Sequence, residues 1–307
     1  MSARFQGSFV AMVTPFRDGK VDESKLAELV EFHAANGTDG LVPCGTTGES
    51  PTLSHDEHKR VVELVVKAAR KRLPVVAGTG SNSTAEAIDL TTHAERAGAD
   101  GALVVNPYYN KPTQEGLYLH FRAVASAVRI PILVYNIQGR TGVNVETATL
   151  ARLARDCANI VGVKEASGNI GQMAAVCHNM PERFDVLSGD DAVTIPLIAL
   201  GGRGLISVAS NEIPAEMTKL VQLALAGDFA GARVLQRAWL PLMEVNFVES
   251  NPIPVKAAMA MMGLLEPVYR LPMVPPLPQN HARIEGVLKS AGLLAAPLVG
   301  ARGTHAD

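Results

Sequence analysis

Eight short runs rich in β-branched and other apolar residues constrain this 307-residue chain more than any other feature. They are 9–16 (FVAMVTPF), 39–45 (DGLVPCG), 74–80 (PVVAGTG), 101–107 (GALVVNP), 131–136 (PILVYN), 160–166 (IVGVKEA), 185–190 (DVLSGD) and 204–210 (GLISVAS). Between them lie longer segments such as DESKLAELVEFHAANG and TAEAIDLTTHAERAGAD, whose apolar residues recur at helical spacing. Strands that are apolar nearly throughout and alternate with helices make a parallel sheet covered by those helices. Eight such units predict an α/β chain folded as a (β/α)8 TIM barrel. A doubly wound open sheet would want a Gly-rich phosphate loop after the first strand, and TPFRDGK is not one.

Local signals mark several element ends. Ser54 to Glu57 (SHDE) reads as a capping box, and AGAD and ANGTDG read as helix stops with glycine near the cap. After Ala209 the pattern is helical only. This places the barrel in 1–225 and a C-terminal helical extension in 226–295, with a proline-rich connector at 271–278 (LPMVPPLP) and a last helix at about 280–291. The tail 296–307 has little to bury and is expected to be disordered.

Composition removes several classes of function. The net charge is −2 and the basic residues are scattered, so no basic face for nucleic acid is expected. Cys44, Cys157 and Cys177 are too few and too widely spaced for a disulfide framework or a zinc site, and read as free thiols in a reducing compartment. The N-terminus does not resemble a signal peptide, and no apolar stretch approaches the ~20 residues of a membrane-spanning helix. A soluble, cytoplasmic protein is expected.

In this fold, chemistry collects in the loops after the strands. Those loops read GTTGES, GTGSN, NPYYN, YNIQGRTG, KEASG and SGDD. They hold hydroxyls, glycines, a lysine and an arginine, but no set of metal ligands at a workable spacing. His55 and His58 share a helix face, and their capping context reads as a surface helix start. No metal and no cofactor is expected. Lys164 ends the strand of VGVKEASG. A buried lysine loses solvation, its pKa falls, and the neutral amine attacks a ketone to form a Schiff base. The alternative is a salt-bridged barrel lysine, perhaps to Glu165, although strand alternation points Glu165 away from the interior. Tyr135, at the end of the fifth run, is placed to shuttle the protons that Schiff-base formation moves, with Thr46 as a hydroxyl relay. An ordinary packed tyrosine fits Tyr135 as well. GTTGE offers backbone N–H groups that cradle a small carboxylate, and Arg140 offers a bidentate grip on another. A plain tight loop and a surface arginine are the alternatives there.

Taken together, these blocks resemble the dihydrodipicolinate synthase and N-acetylneuraminate lyase family of class I aldolase-like barrels. LVPCGTTGESPTLSHDEH, VVAGTGSNSTAEAI, NPYYNKPTQEGLYLHF, VYNIQGRTG, VGVKEASGN, LSGDD and NPIPVKAAM stand in the family's order, and the likeness spans nearly the whole chain. The resemblance implies that Lys164 carries pyruvate as a Schiff base. It makes Tyr135 the central proton shuttle, flanked by Thr46 and by Tyr109 reaching across a dimer interface. It implies that Thr46 and Thr47 hold the pyruvate carboxylate, that Arg140 binds the carboxylate of L-aspartate 4-semialdehyde, and that Gly189 and Ile206 line the pocket. A homotetramer built as a dimer of dimers is implied too.

Arg140 separates the branches, because family lyases acting on N-acetylneuraminate or on 2-keto-3-deoxy sugar acids usually lack a cation there. Those retro-aldol activities are the alternative, and a non-catalytic barrel is a third. Two positions depart from the family pattern: Gln138 where proline is common, and Asn106 where a threonine is frequent. In members inhibited by L-lysine, the matching positions are Ser50, Pro51, His55, His58, Asn82, Glu86 and Tyr108. Glu86 would take the effector's ammonium, with Asn82 and Tyr108 gripping its carboxylate. Pro51 replaces a frequent alanine.

Overall fold

The structure, a computed structural model, describes residues 5–294, so the tail expected at 296–307 lies outside the described residues. All eight runs form strands: β1 Gly7–Ala11, β2 Gly40–Val42, β3 Val76–Gly78, β4 Gly101–Val105, β5 Ile132–Asn136, β6 Ile160–Glu165, β7 Asp185–Ser188 and β8 Gly204–Ser207. Each pairs in parallel with its neighbours in chain order, and β1 also pairs with β8. Closure between β2 and β3 rests on a bridge from Leu41 to Val75, with Leu41 N donating to Pro74 O (2.9 Å) and Gly78 N to Pro43 O (2.8 Å). No free edge is left, which is the TIM barrel architecture. Strand β2 is shorter than its apolar run because Pro43 has no N–H to give the ladder and Cys44 turns to φ +56°.

Eight helices follow the strands: α1 Glu23–Ala35, α2 His55–Ala69, α3 Thr84–Ala97, α4 Gln114–Ala127, α5 Thr147–Asp156, α6 Ile170–Asn179, α7 Thr194–Ala199 and α8 Pro214–Leu225. The capping box of α2 is formed by both of its hydrogen bonds, and α3 ends on Gly98 at φ +88°. Two small elements were not expected. A two-residue hairpin joins Phe16–Arg17 to Lys20–Val21, and a single helical turn covers Gln138–Thr141. The extension adds α9 Phe229–Val245, α10 Ile253–Met261 and α11 Pro278–Ser290. The last starts at Pro278, whose fixed φ suits a first helical turn. Met217, Leu220 and Val221 of α8 share one apolar cluster with Leu242, Met243, Ile284 and Leu288, so the extension packs on the barrel. Among the described residues no helix is long and apolar enough to cross a membrane.

The barrel interior is filled by Phe9, Val42, Val76, Leu103, Leu133, Leu187 and Ile206. Phe5, ahead of β1, closes the N-terminal end, its ring edge-on to Phe9 at 6.1 Å. A packed floor at that end leaves only the C-terminal mouth to receive a ligand.

Candidate active site

Strands β5 and β6 run in register so that Tyr135 and Lys164 are direct partners. Period-2 alternation then turns both side chains to the same, inward face. Lys164 is 6% exposed, and its Nζ stands 4.3 Å from the centroid of the Tyr135 ring. Gly189, just past β7, makes room for it: a Cβ there would meet Lys164 Cε at 3.0 Å and Cγ at 3.2 Å. Ile206 packs in the apolar interior that includes Tyr135. Among the described residues the Lys164 amine has no ion-pair or hydrogen-bond partner. The salt bridge to Glu165 is absent, because Glu165 points outward and accepts from Ser167 N (2.8 Å), Asn136 Nδ2 (3.2 Å) and Gln172 Nε2 (3.2 Å).

Above the barrel mouth lies a cavity of about 380 Å³, with Thr46, Tyr135 and Arg140 on its wall. Lys164 is not on that wall and meets it through the Tyr135 ring, whose centroid lies 4.3 Å from its Nζ. No hydrogen bond joins Thr46 to Tyr135. Thr47 is buried behind the wall, its hydroxyl accepting from Asn251 Nδ2 (3.0 Å), and Arg140 Nη2 reaches the Asn251 carbonyl at 3.4 Å. One residue of the extension thus touches both loops expected to hold carboxylates. Asn106, the departure noted in the sequence, pins the Arg140 turn. Its amide donates to Thr141 Oγ1 (3.1 Å) and to the Val143 carbonyl (2.7 Å). Gln138 is exposed at the start of the same turn.

The GTTGES loop is held by groups that sequence reasoning missed. Glu49 N donates to Thr46 O (3.1 Å), Thr14 Oγ1 to Gly48 O (2.7 Å), and Glu49 itself sits at φ +54°. Its carboxyl meets Lys256 Nζ at 2.6 Å, and the same ammonium donates to Val268 O at 2.7 Å. Burial pulls the Lys256 pKa below its ordinary value, against the opposing pull of Glu49. A charged residue inside the apolar NPIPVKAAMAMM was the available signal. Arg270 adds two bonds to Glu57 (2.6 and 2.7 Å) and one to Thr52 O (3.0 Å), and these hydrogen bonds bring the Glu57 carboxyl down to about 2.

The dihydrodipicolinate synthetase family model matches residues 4–291. The chain belongs to that family. The 4-hydroxy-tetrahydrodipicolinate synthase of Syntrophus aciditrophicus is 54% identical over 94% of this chain and 99% of its own. The dihydrodipicolinate synthase of Acinetobacter baumannii, solved with pyruvate, superposes with a TM-score of 0.92 at 46% identity, covering 94% of this chain and 99% of its own. The enzyme of Cyanidioschyzon merolae, solved with lysine bound, gives 0.92 at 41%, covering 95% and 100%.

Most of the residues expected from the resemblance to hold an effector line the same cavity. Ser50, Pro51, His55, His58, Glu86 and Tyr108 line it, and Asn82 stands behind, donating to Tyr108 O at 3.2 Å. Glu86 bonds Ser81 and His55, and the Ser81 bond chiefly lowers its pKa. His58 corrects the surface reading: it is buried, with Nε2 on the Gly78 carbonyl at 2.9 Å, and burial pushes it down to about 4. Its Nδ1 has no partner. The cap fixed where α2 starts, but at the fourth residue the helix has turned its face to the barrel. Tyr109 stands apart at 88% exposure and φ +72°, off the cavity wall.

Proposed function

We propose that this family member condenses pyruvate with L-aspartate 4-semialdehyde to give 4-hydroxy-tetrahydrodipicolinate. The observation that carries the reading is the Lys164 amine, buried, unpaired and packed on Tyr135 under a cavity that also holds Arg140. The amine adds to the pyruvate ketone carbon, and the carbinolamine loses water to an iminium. Tyr135, with Thr46, moves the protons that this exchange requires. Loss of a methyl proton gives an enamine, whose carbon attacks the aldehyde. The amino group of the semialdehyde then adds to the iminium carbon, closes the ring and releases Lys164. Backbone N–H groups and hydroxyls at Thr46 and Thr47 hold the pyruvate carboxylate, while Gly189 and Ile206 shape the pocket. Arg140 binds the second carboxylate, which an aldehyde derived from a sugar lacks.

The high exposure of Tyr109 supports its completing the relay of a second copy, in a dimer of dimers within the cytoplasm. The barrel, residues 1–225, carries the chemistry, and the helical extension, 226–295, backs its loops. L-Lysine is the proposed feedback effector, its ammonium at Glu86 and its carboxylate near Asn82 and Tyr108. Millimolar lysine lowers the rate, and a flat response contradicts this assignment. The reaction is tested by a coupled assay with aspartate semialdehyde beside sugar-acid substrates. Turnover of the semialdehyde alone is expected. Arg140→Ala raises its KM on the order of 10- to 100-fold. Unchanged kinetics remove the role of Arg140.

A further inference from the structure

Lys164 and Tyr135 are each followed by a buried polar residue that faces the opposite way. Asn136 and Glu165 are also direct cross-strand partners, on the outer face of the barrel, and both are about 1% exposed. Asn136 Nδ2 donates to Glu165 Oε2 at 3.2 Å. Glu165 further accepts from Ser167 N, in the turn that follows Lys164, and from Gln172 on α6. Asn136 also bonds the loop beyond Arg140, donating to Asn144 Oδ1 (2.8 Å) and accepting from Val145 N (2.9 Å). Asn144 and Gln172 exchange bonds of 2.8 and 3.1 Å and complete the set.

We infer that Glu165 and Asn136 are positioning residues: a latch behind the barrel wall that sets Lys164 against Tyr135 and tethers the Arg140 loop. The inference rests on Lys164 and Tyr135 being the reacting pair. Burying a carboxyl without a cation is costly, and apolar side chains would join these elements as firmly. What hydrogen bonds add is direction. Glu165 receives three N–H donors from three segments: the end of β5, the turn after β6, and the start of α6. Through Asn136 and Asn144 the same set reaches the segment that carries Arg140. A slip of either strand end would separate the amine from the tyrosine without touching either one.

Glu165→Gln keeps the shape and an oxygen for Ser167, but sets an amide donor against the donors of Asn136 and Gln172. It should slow borohydride trapping of pyruvate at Lys164, and kcat, on the order of 10- to 100-fold, with thermal midpoint and far-UV dichroism near wild type. Adding Asn136→Asp, with the amides of Asn144 and Gln172 turned over, reverses donor and acceptor throughout the set and should recover much of the rate. Asn144→Ala leaves the three bonds that Glu165 accepts in place, so it should raise the KM for the semialdehyde and slow trapping far less than Glu165→Gln. If Glu165→Gln does not fold, Gln172→Leu, which removes one donor, should slow trapping by about 3-fold. Wild-type trapping in Glu165→Gln, or in Gln172→Leu, overturns the latch. So does a double variant no faster than the single one, or an Asn144→Ala that slows trapping equally. Failure of wild-type enzyme to trap pyruvate on Lys164 instead sinks the reaction assignment, and the latch with it.

Discussion

Among the described residues two lysines are buried, and their surroundings differ in kind. Lys256, fully buried, meets the Glu49 carboxyl and the Val268 carbonyl, and stands 4.4 Å from the Phe16 ring centroid. Lys164, at 6% exposure, has Tyr135 beside it and no carboxylate. Removing a charge from water is costly, and Lys256 offsets that cost with a counter-charge in contact. Lys164 has no such offset, and it packs on Tyr135, whose other surroundings include the cavity. Burial alone therefore does not mark a reactive amine. Burial without a partner, at the mouth of the barrel, does. In the proposed reaction the first lysine shapes the loop that would receive a substrate carboxylate, while the second would react.

Lys164→Ala breaks the comparison most sharply. It should cut kcat/KM by on the order of 10³-fold or more, yet cost less than about 2 kcal/mol of stability, since relief of an unpaired buried charge offsets packing lost with its stem. Lys256→Met should do the reverse. Leaving Glu49 buried and alone costs about 3–5 kcal/mol in urea unfolding, with a smaller loss of rate as the GTTGES loop loosens. Adding Glu49→Gln to Lys256→Met should recover part of that loss, because no uncompensated charge remains.

The same contrast sharpens among the acids. Glu49 has its lysine, whereas Glu212 has only Asn246, whose amide donates to Oε2 at 2.6 Å. Burial pushes Glu212 up to about 8. The folded chain then keeps a proton that the unfolded chain releases near 4.5. Its contribution is fully present below about 4.5 and is lost as pH rises to about 8, then levels off. Glu212→Gln, whose amide offers a donor toward the partnerless Asn246 Oδ1, should flatten that slope, a gain of a few kcal/mol at pH 8. Unfolding at stepped pH checks it. An unchanged slope would mean that Glu212 is ionised in the fold.

The difference between the lysines was only half legible in the sequence. The barrel follows from patterns local to each run, and so does the position of Lys164 and Tyr135 at strand ends and of Thr46 and Arg140 just after them. Residue-by-residue alternation also placed Glu165 outside correctly. What holds the site was not legible. Lys256 and Glu49 are 207 positions apart, as are Thr47 and Asn251 by 204, and no periodicity joins them. The inward turn of His58 was missed because a helix cap reports where a helix starts and not which face it buries. Asn106 looked like a neutral departure until its amide was seen bonding to the Arg140 turn.

Borohydride reduction of the enzyme with pyruvate, followed by peptide mass analysis, bears most directly on the central claim, because both buried lysines are present in one sample. The account predicts a single pyruvate adduct on the peptide containing Lys164, and none on Lys256. An adduct on Lys256, or no adduct at all, would contradict it.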